Sequence, residues 1–168
     1  MTVPEGALSR GSERERTWVG SGLARETNCM SGKSFVDTNI LVYAHDSTQG
    51  AKHERAQALV ETLWEAGDGI ISTQVLQELC INLRRKSARP LSIEETRKVI
   101  EDYSTWDIVV NTAESVLQAL DLESRYQISF WDALIVQAAT SCEATIIYSE
   151  DLADGQTYSA VRVVNPLK

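Results

Sequence analysis

Cysteine and histidine are scarce in this chain, which has three of the first and two of the second in 168 residues. Cys29, Cys80 and Cys142 are odd in number, far apart and never in a C-x-x-C pair. That spacing excludes a disulfide framework and a structural zinc site. Cys80 and Cys142 fall in helical patterns, where packing accounts for them. Neither His45 nor His53 sits in the serine or cysteine context of a nucleophilic triad. Basic residues are outnumbered, 16 Lys and Arg against 24 Asp and Glu, for a net charge of -8. A generally basic nucleic-acid coat and a polybasic membrane anchor are excluded, but a local basic patch is not. No apolar run approaches the ~18 residues of a membrane-spanning helix, and the first residues lack the apolar core of a signal peptide. The length suits one domain. The expectation is a soluble, cytoplasmic protein.

Composition changes near residue 33. Residues 1–33 carry five basic and four acidic residues, with apolar residues too sparse to repeat at a helical or strand period. Such a segment buries too little surface to offset its ordering entropy, so residues 1–33 are expected to be a disordered N-terminal extension. Met30, directly before Ser31-Gly32-Lys33-Ser34-Phe35, offers an alternative start. Whether residues 1–29 are native is left open.

The folded domain is expected over 34–168. Phe35-Val36, Gly69-Ile70-Ile71-Ser72, Ile108-Val109-Val110, Ala144 to Tyr148 and Val161 to Val164 read as five short buried strands. Between them run amphipathic helical stretches. Ala56, Leu59, Val60, Leu63 and Trp64 mark one that ends near Gly67, and Val75, Leu76, Leu79 and Leu83 mark the next. Ser92 with Glu95 forms a capping-box signature before a third. Val116, Leu117 and Leu120 lie on a fourth, and Ser129 to about Cys142 is a fifth. Trp64, Trp106 and Trp131 are assigned to the core in preference to an interface. Strands separated by helices imply right-handed crossovers and a mostly parallel sheet covered on both faces, an α/β sandwich.

Open α/β sheets bind ligands beyond the carboxyl ends of their strands. Asp37 directly follows Phe35-Val36, and Asp151 follows Ile146-Ile147-Tyr148 after Ser149 and Glu150. Glu78 and Asp132 are embedded in apolar helical contexts. Each has an ordinary explanation. Asp132 sits three residues after Ser129, in a first helical turn that favours negative charge. Glu78 could face solvent, and Asp151 could open a turn with Asp154 and Gly155. Asp37 is harder to dismiss, because aspartate is a poor strand residue between two apolar runs. Four carboxylates at one rim would repel one another unless cations neutralise them or some take up protons. Hard oxygen ligands without His or Cys point to Mg²⁺ or Mn²⁺, and Mg²⁺ favours phosphate oxygens, hence phosphoryl chemistry.

These residues resemble a known family. Phe35-Val36-Asp37-Thr38-Asn39-Ile40-Leu41 is similar to the opening of the PIN-domain ribonucleases, especially the VapC-type toxins of toxin–antitoxin pairs, and the likeness spans residues 34–168. The resemblance implies a PIN-like three-layer sandwich. It matches Asp37 to the first acidic ligand, Glu78 to the mid-chain helical glutamate and Asp132, in Phe130-Trp131-Asp132-Ala133-Leu134-Ile135, to the third acid. The fourth position stays open among Glu150, Asp151 and Asp154. Asp151 is favoured because its spacing from Ser149 follows the family pattern. Asn39 fits the side chain that orients the cluster, and Ser149 the family's hydroxyl position.

What the resemblance implies is metal-dependent hydrolysis of an RNA phosphodiester. Asp37, Asp132 and Asp151 would hold one or two Mg²⁺ ions, and Glu78 would complete the cluster and help position or deprotonate the attacking water. It also implies a homodimer silenced by a cognate antitoxin protein. Arg84, Arg85 and Lys86 open a run of four cations in six residues, read either as an RNA phosphate clamp or as a solvated helix end complementing the dipole. A phosphatase with a nucleophilic aspartate is the nearest rival, but it would usually show a second aspartate where Asn39 stands. A receiver-like signalling domain has no place for the Glu78 and Asp132 contexts. A PIN-fold module that binds RNA or a partner without catalysis is the remaining alternative.

Overall fold

The computed structural model describes residues 32–168. The expected N-terminal extension, with Trp18, Cys29 and the alternative start Met30, lies outside the described residues apart from Gly32 and Lys33. Lys33 already belongs to the folded unit: its carbonyl accepts from Thr145 N at 3.0 Å, and its ammonium pairs with Asp107.

Six strands form one sheet in the order β3-β2-β1-β4-β6-β5. These are β1 (Ser34–Val36), β2 (Gly69–Ser72), β3 (Asp107–Val109), β4 (Ile146–Tyr148), β5 (Thr157–Tyr158) and β6 (Val161–Val164). All pairs are parallel except β5 with β6. The two-residue β5 is an addition to the five strands expected, and it turns back on β6 through Ser159, which adopts φ 55°. Thr157-Tyr158 is too short to leave a periodic signal.

The strand order fixes where a ligand can sit. The chain leaves β1 toward β2 and β3, then returns to the other side of β1 for β4 and β6, so the order reverses between β1 and β4. At such a switch point the connections diverge and leave a crevice beyond the strand carboxyl ends. The register pairs Val36 with Tyr148. Residues just after 36 and 148 therefore face one another across the crevice.

Six α-helices flank the sheet: α1 (Thr38–His45), α2 (Ala51–Ala66), α3 (Thr73–Arg85), α4 (Ile93–Tyr103), α5 (Ala113–Tyr126) and α6 (Phe130–Ser141). Helices α1 to α4 pack on one another, while α5 packs on α6, which lies against β2, β4 and β6. Local chemistry sets their ends. Ser92 and Glu95 form the expected capping box, and Gly67 ends α2 in the left-handed region at φ 71°. Phe35, Val36, Ile70, Ile71, Leu79 and Ile147 form the fully buried centre.

Two of the three tryptophans assigned to the core are packed. Trp106 is buried, and its ring and that of Trp64 each stand within 5.3 Å of Tyr103. Trp106 also packs against Gly69, where a Cβ would come within 2.5 Å of the indole, so β2 must begin with glycine. Trp131 departs from the expectation, being 61% exposed on the first turn of α6. The helical period cannot tell its face from that of its neighbours, because α6 is apolar almost all round.

Candidate active site

Asp37 is the residue on which β1 ends and α1 begins. As the N-cap of α1 it keeps extended backbone, and its Oδ1 accepts from Thr38 N at 2.7 Å. Its own N–H donates to Tyr148 O at 3.0 Å, which ties it to the end of β4. Ser149, fully buried on β4's far side of the crevice, donates from Oγ to Asp37 Oδ2 at 2.7 Å. The same Oγ accepts from Asp151 N at 3.1 Å and Leu152 N at 3.3 Å, so one hydroxyl holds both Asp37 and the turn that carries Asp151.

Asn39 bridges the two acids. Its Nδ2 donates to Asp151 Oδ2 at 2.8 Å and more weakly, at 3.4 Å, to Asp37 Oδ2. Glu78 comes from α3. Thr38 Oγ1 donates to its Oε2 at 2.8 Å and Gln74 Nε2 to its Oε1 at 3.0 Å. Asp37, Glu78 and Asp151 thus line one open cavity of about 590 Å³, together with Asn39, Gln74 and Trp131.

Burial dominates the electrostatics. Loss of water around Asp37 pushes its carboxyl up to about 7, and the nearby charges of Asp151 and Glu78 push the same way. The hydrogen bonds from Ser149 and Thr38 oppose the shift without cancelling it. Near neutral pH the protein therefore carries a carboxylate held in a place that favours its neutral form.

The other proposed site residues are placed differently. Asp132 does not line the cavity: Ser129 Oγ donates to its Oδ2 at 2.7 Å, and its own N–H donates back to Ser129 Oγ at 3.1 Å. That is the helix-cap arrangement which the Ser129 spacing allowed. Glu150 is spent on Lys52, and Asp154 on Lys168 and the Asn165 amide, so Asp151 is the acid of that loop directed to the cavity. The basic run divides. Lys86 lines the acidic cavity, Arg84 lines a separate groove with Arg97 and Glu101, and Arg85 is exposed. Thr38 and Gln74 were given no role from sequence. Gln74 precedes Glu78 by four residues, the spacing that brings two side chains together on a helix.

The donor set suits a hard divalent cation. Among the described residues no three carboxylates, thiols or imidazoles already stand at ligating distance. However, Asn39 Oδ1 is buried with no hydrogen-bond partner beside Asp37 and Asp151. A shielded amide oxygen next to two carboxylates, one of them crowded by negative charge, matches the oxygen-rich surroundings that Mg²⁺ accepts.

An acid-centred crevice at the switch point of a mostly parallel sheet defines the class: an α/β domain with its polar groups at the strand carboxyl ends. The PIN domain family profile matches residues 34–153, and the chain belongs to that family. Solved structures share the fold. A toxin–antitoxin complex from Klebsiella pneumoniae superposes with a TM-score of 0.60 at 19% identity, covering 80% of this chain and 98% of that one. The sarcin–ricin-loop-cleaving toxin VapC20 of Mycobacterium tuberculosis gives 0.55 at 20% identity, over 71% and 90% of the two chains. DNA-bound VapBC from Salmonella typhimurium gives 0.54 at 18%, over 78% and 96%. No curated protein matches the chain significantly by sequence. Among the described residues no helix is long and apolar enough to cross a membrane.

Proposed function

We propose that residues 34–168 form a metal-dependent ribonuclease that hydrolyses RNA phosphodiesters, and that the chain is the toxin of a type II toxin–antitoxin pair. The observation that carries this reading is the buried Asp37, held by Ser149 and Asn39 in one cavity with Glu78 and Asp151. Membership of the PIN family supports a nuclease, and the toxin–antitoxin complexes among the similar structures support the toxin role.

Asp37 and Asp151 would hold Mg²⁺ or Mn²⁺, with Asn39 Oδ1 at hand. Asp132, whose Oδ2 is held by Ser129, would join them through its other oxygen. The bound ion would lower the pKa of a water and offset charge on the phosphate. Glu78, whose oxygens are oriented by Thr38 and Gln74, would position that water and take its proton. The water oxygen attacks phosphorus, the P–O3′ bond breaks, and the departing O3′ takes a proton, leaving a 5′-phosphate and a 3′-hydroxyl. Partners on this reading are the RNA substrate, a second copy of the chain and an antitoxin protein, in the cytoplasm.

The test is incubation of the purified protein with mixed tRNA and ribosomal RNA in Mg²⁺ or Mn²⁺. Cleavage that EDTA abolishes, with 5′-phosphate ends, is the expected result. Folded protein that neither cuts RNA nor binds either metal would overturn it in favour of a non-catalytic binding module.

Lys86 is the one cation of the basic run that lines the cavity. Lys86→Ala should weaken RNA binding and lower the slope of log affinity against log salt by about one, as for a single lost phosphate contact. Arg84→Ala, in the other groove, should leave both nearly unchanged. Filter binding at several salt concentrations reads this.

A further inference from the structure

Trp131 and Gln74 are unexplained by the acid cluster. An indole 61% exposed is unusual, since tryptophan is highly buried on average and gains most by covering its apolar face. Phe130 supports it edge-on, with ring centres 5.6 Å apart and planes at 69°. Gln74 is 5% exposed, yet its Oε1 has no hydrogen-bond partner.

The orientation of that amide is fixed by its surroundings. Its Nε2 faces Glu78 Oε1 at 3.0 Å and Trp131 O at 3.4 Å, and both are acceptors. Turning the group over would set oxygen against oxygen, so Oε1 remains the orphan. Leaving such a buried acceptor unpaired is costly in a folded protein, and a ligand whose donor reaches it by a small shift of the side chains that cover it recovers the loss. Trp131 and Gln74 line the same cavity as Asp37, Glu78 and Lys86, so the ligand that meets them also lies against the acids.

We propose that Trp131 and Gln74 form a nucleotide subsite, in which the indole stacks an unpaired base of the RNA and Gln74 Oε1 accepts a hydrogen bond from that base's exocyclic amine. This rests on the ribonuclease reading and adds to it a preference for single-stranded RNA with an amino-bearing base next to the cut. Stacking supplies affinity for any base, because every base has a π face. The acceptor supplies the discrimination, because a site with a committed hydrogen-bond group rejects a ligand lacking the complement.

The test measures binding rather than cutting. Fluorescein-labelled hexaadenylate and hexauridylate are titrated with the full chain by anisotropy, with Ca²⁺ in place of Mg²⁺. The wild type should bind hexaadenylate more tightly. Trp131→Ala should weaken both by about tenfold, in line with the loss of one stacked base, and Trp131→Phe should restore most of the loss. Gln74→Met should weaken hexaadenylate more than hexauridylate and so narrow the difference between them. Equal affinity for the two oligomers, with loss on 2′-deoxy substitution, would overturn the amine assignment.

If Trp131→Ala binds like the wild type while the wild type still cleaves RNA, the subsite is wrong and the nuclease stands. If the wild type neither cleaves nor binds, both readings fall.

Discussion

Asp37→Asn should reduce metal-dependent RNA cleavage by about 10³-fold or more while leaving the fold intact. The size follows from what the one carboxylate does. It is the most buried of the acids in the cavity, and the hydroxyl of Ser149 and the amide of Asn39 both aim donors at its Oδ2. Asparagine keeps the shape but only one acceptor oxygen, enough for Thr38 N or for the Ser149 and Asn39 donors and not for both, and it removes the charge that would hold a cation. Losing one preorganised electrostatic partner of a transition state costs two to three orders of magnitude in rate, and losing an anionic metal ligand costs at least as much. Single-turnover cleavage beside a circular-dichroism melt checks both halves. Retention of more than a tenth of the rate would remove Asp37 from the chemistry.

The same substitution should flatten the pH dependence of the metal-free protein's stability. Asp37 is raised from 3.8 to about 7 by burial, and in the unfolded chain it returns to the ordinary value. Between those values the folded protein binds more protons than the unfolded one, so stability falls as pH rises. The contribution is fully present below pH 4 and is lost as pH passes 7. The span corresponds to about 4 kcal/mol at most. His45 works in the opposite sense, because its burial lowers its pKa and favours the neutral ring as pH rises toward 6.5. The difference between wild type and Asp37→Asn isolates the aspartate. Urea denaturation in EDTA from pH 5 to 7.5 should show the wild type losing stability relative to the variant, and added Mg²⁺ should close much of the gap. Parallel profiles would mean that Asp37 is not held in its strained ionised form.

How far the amino-acid sequence foretold all this depends on the length of the signal. The helices and the longer strands were legible because apolar spacing repeats over several turns, and the Ser92–Glu95 box set the start of α4 by its own chemistry. β5 was not, since Thr157 and Tyr158 make no period. Asp37 stood out because a carboxylate between apolar runs needs a reason. Choosing among Glu150, Asp151 and Asp154 needed three dimensions: Lys52 and Lys168, distant in sequence, claim the first and the last. Asp132 shows the limit from the other side. One spacing, Ser129 plus three, serves both a helix cap and a ligand, and the structure places it in the cap. The division of Arg84 from Lys86 was invisible for a related reason, because two residues along a helix turn a side chain to a different groove.

The burial of Asp37 has a consequence for heredity. In most enzymes, substitutions that abolish activity are mixed with those that abolish the protein, and loss of either looks alike in a living cell. Here the two separate. A chain neutralised at Asp37 should stay folded, whereas damage to Phe35, Ile70 or Leu79 in the centre should send it to degradation. On the reading of this chain as a toxin, cells that escape it through codon 37 would keep a full complement of the inert protein, still able to occupy whatever partner normally restrains the active form.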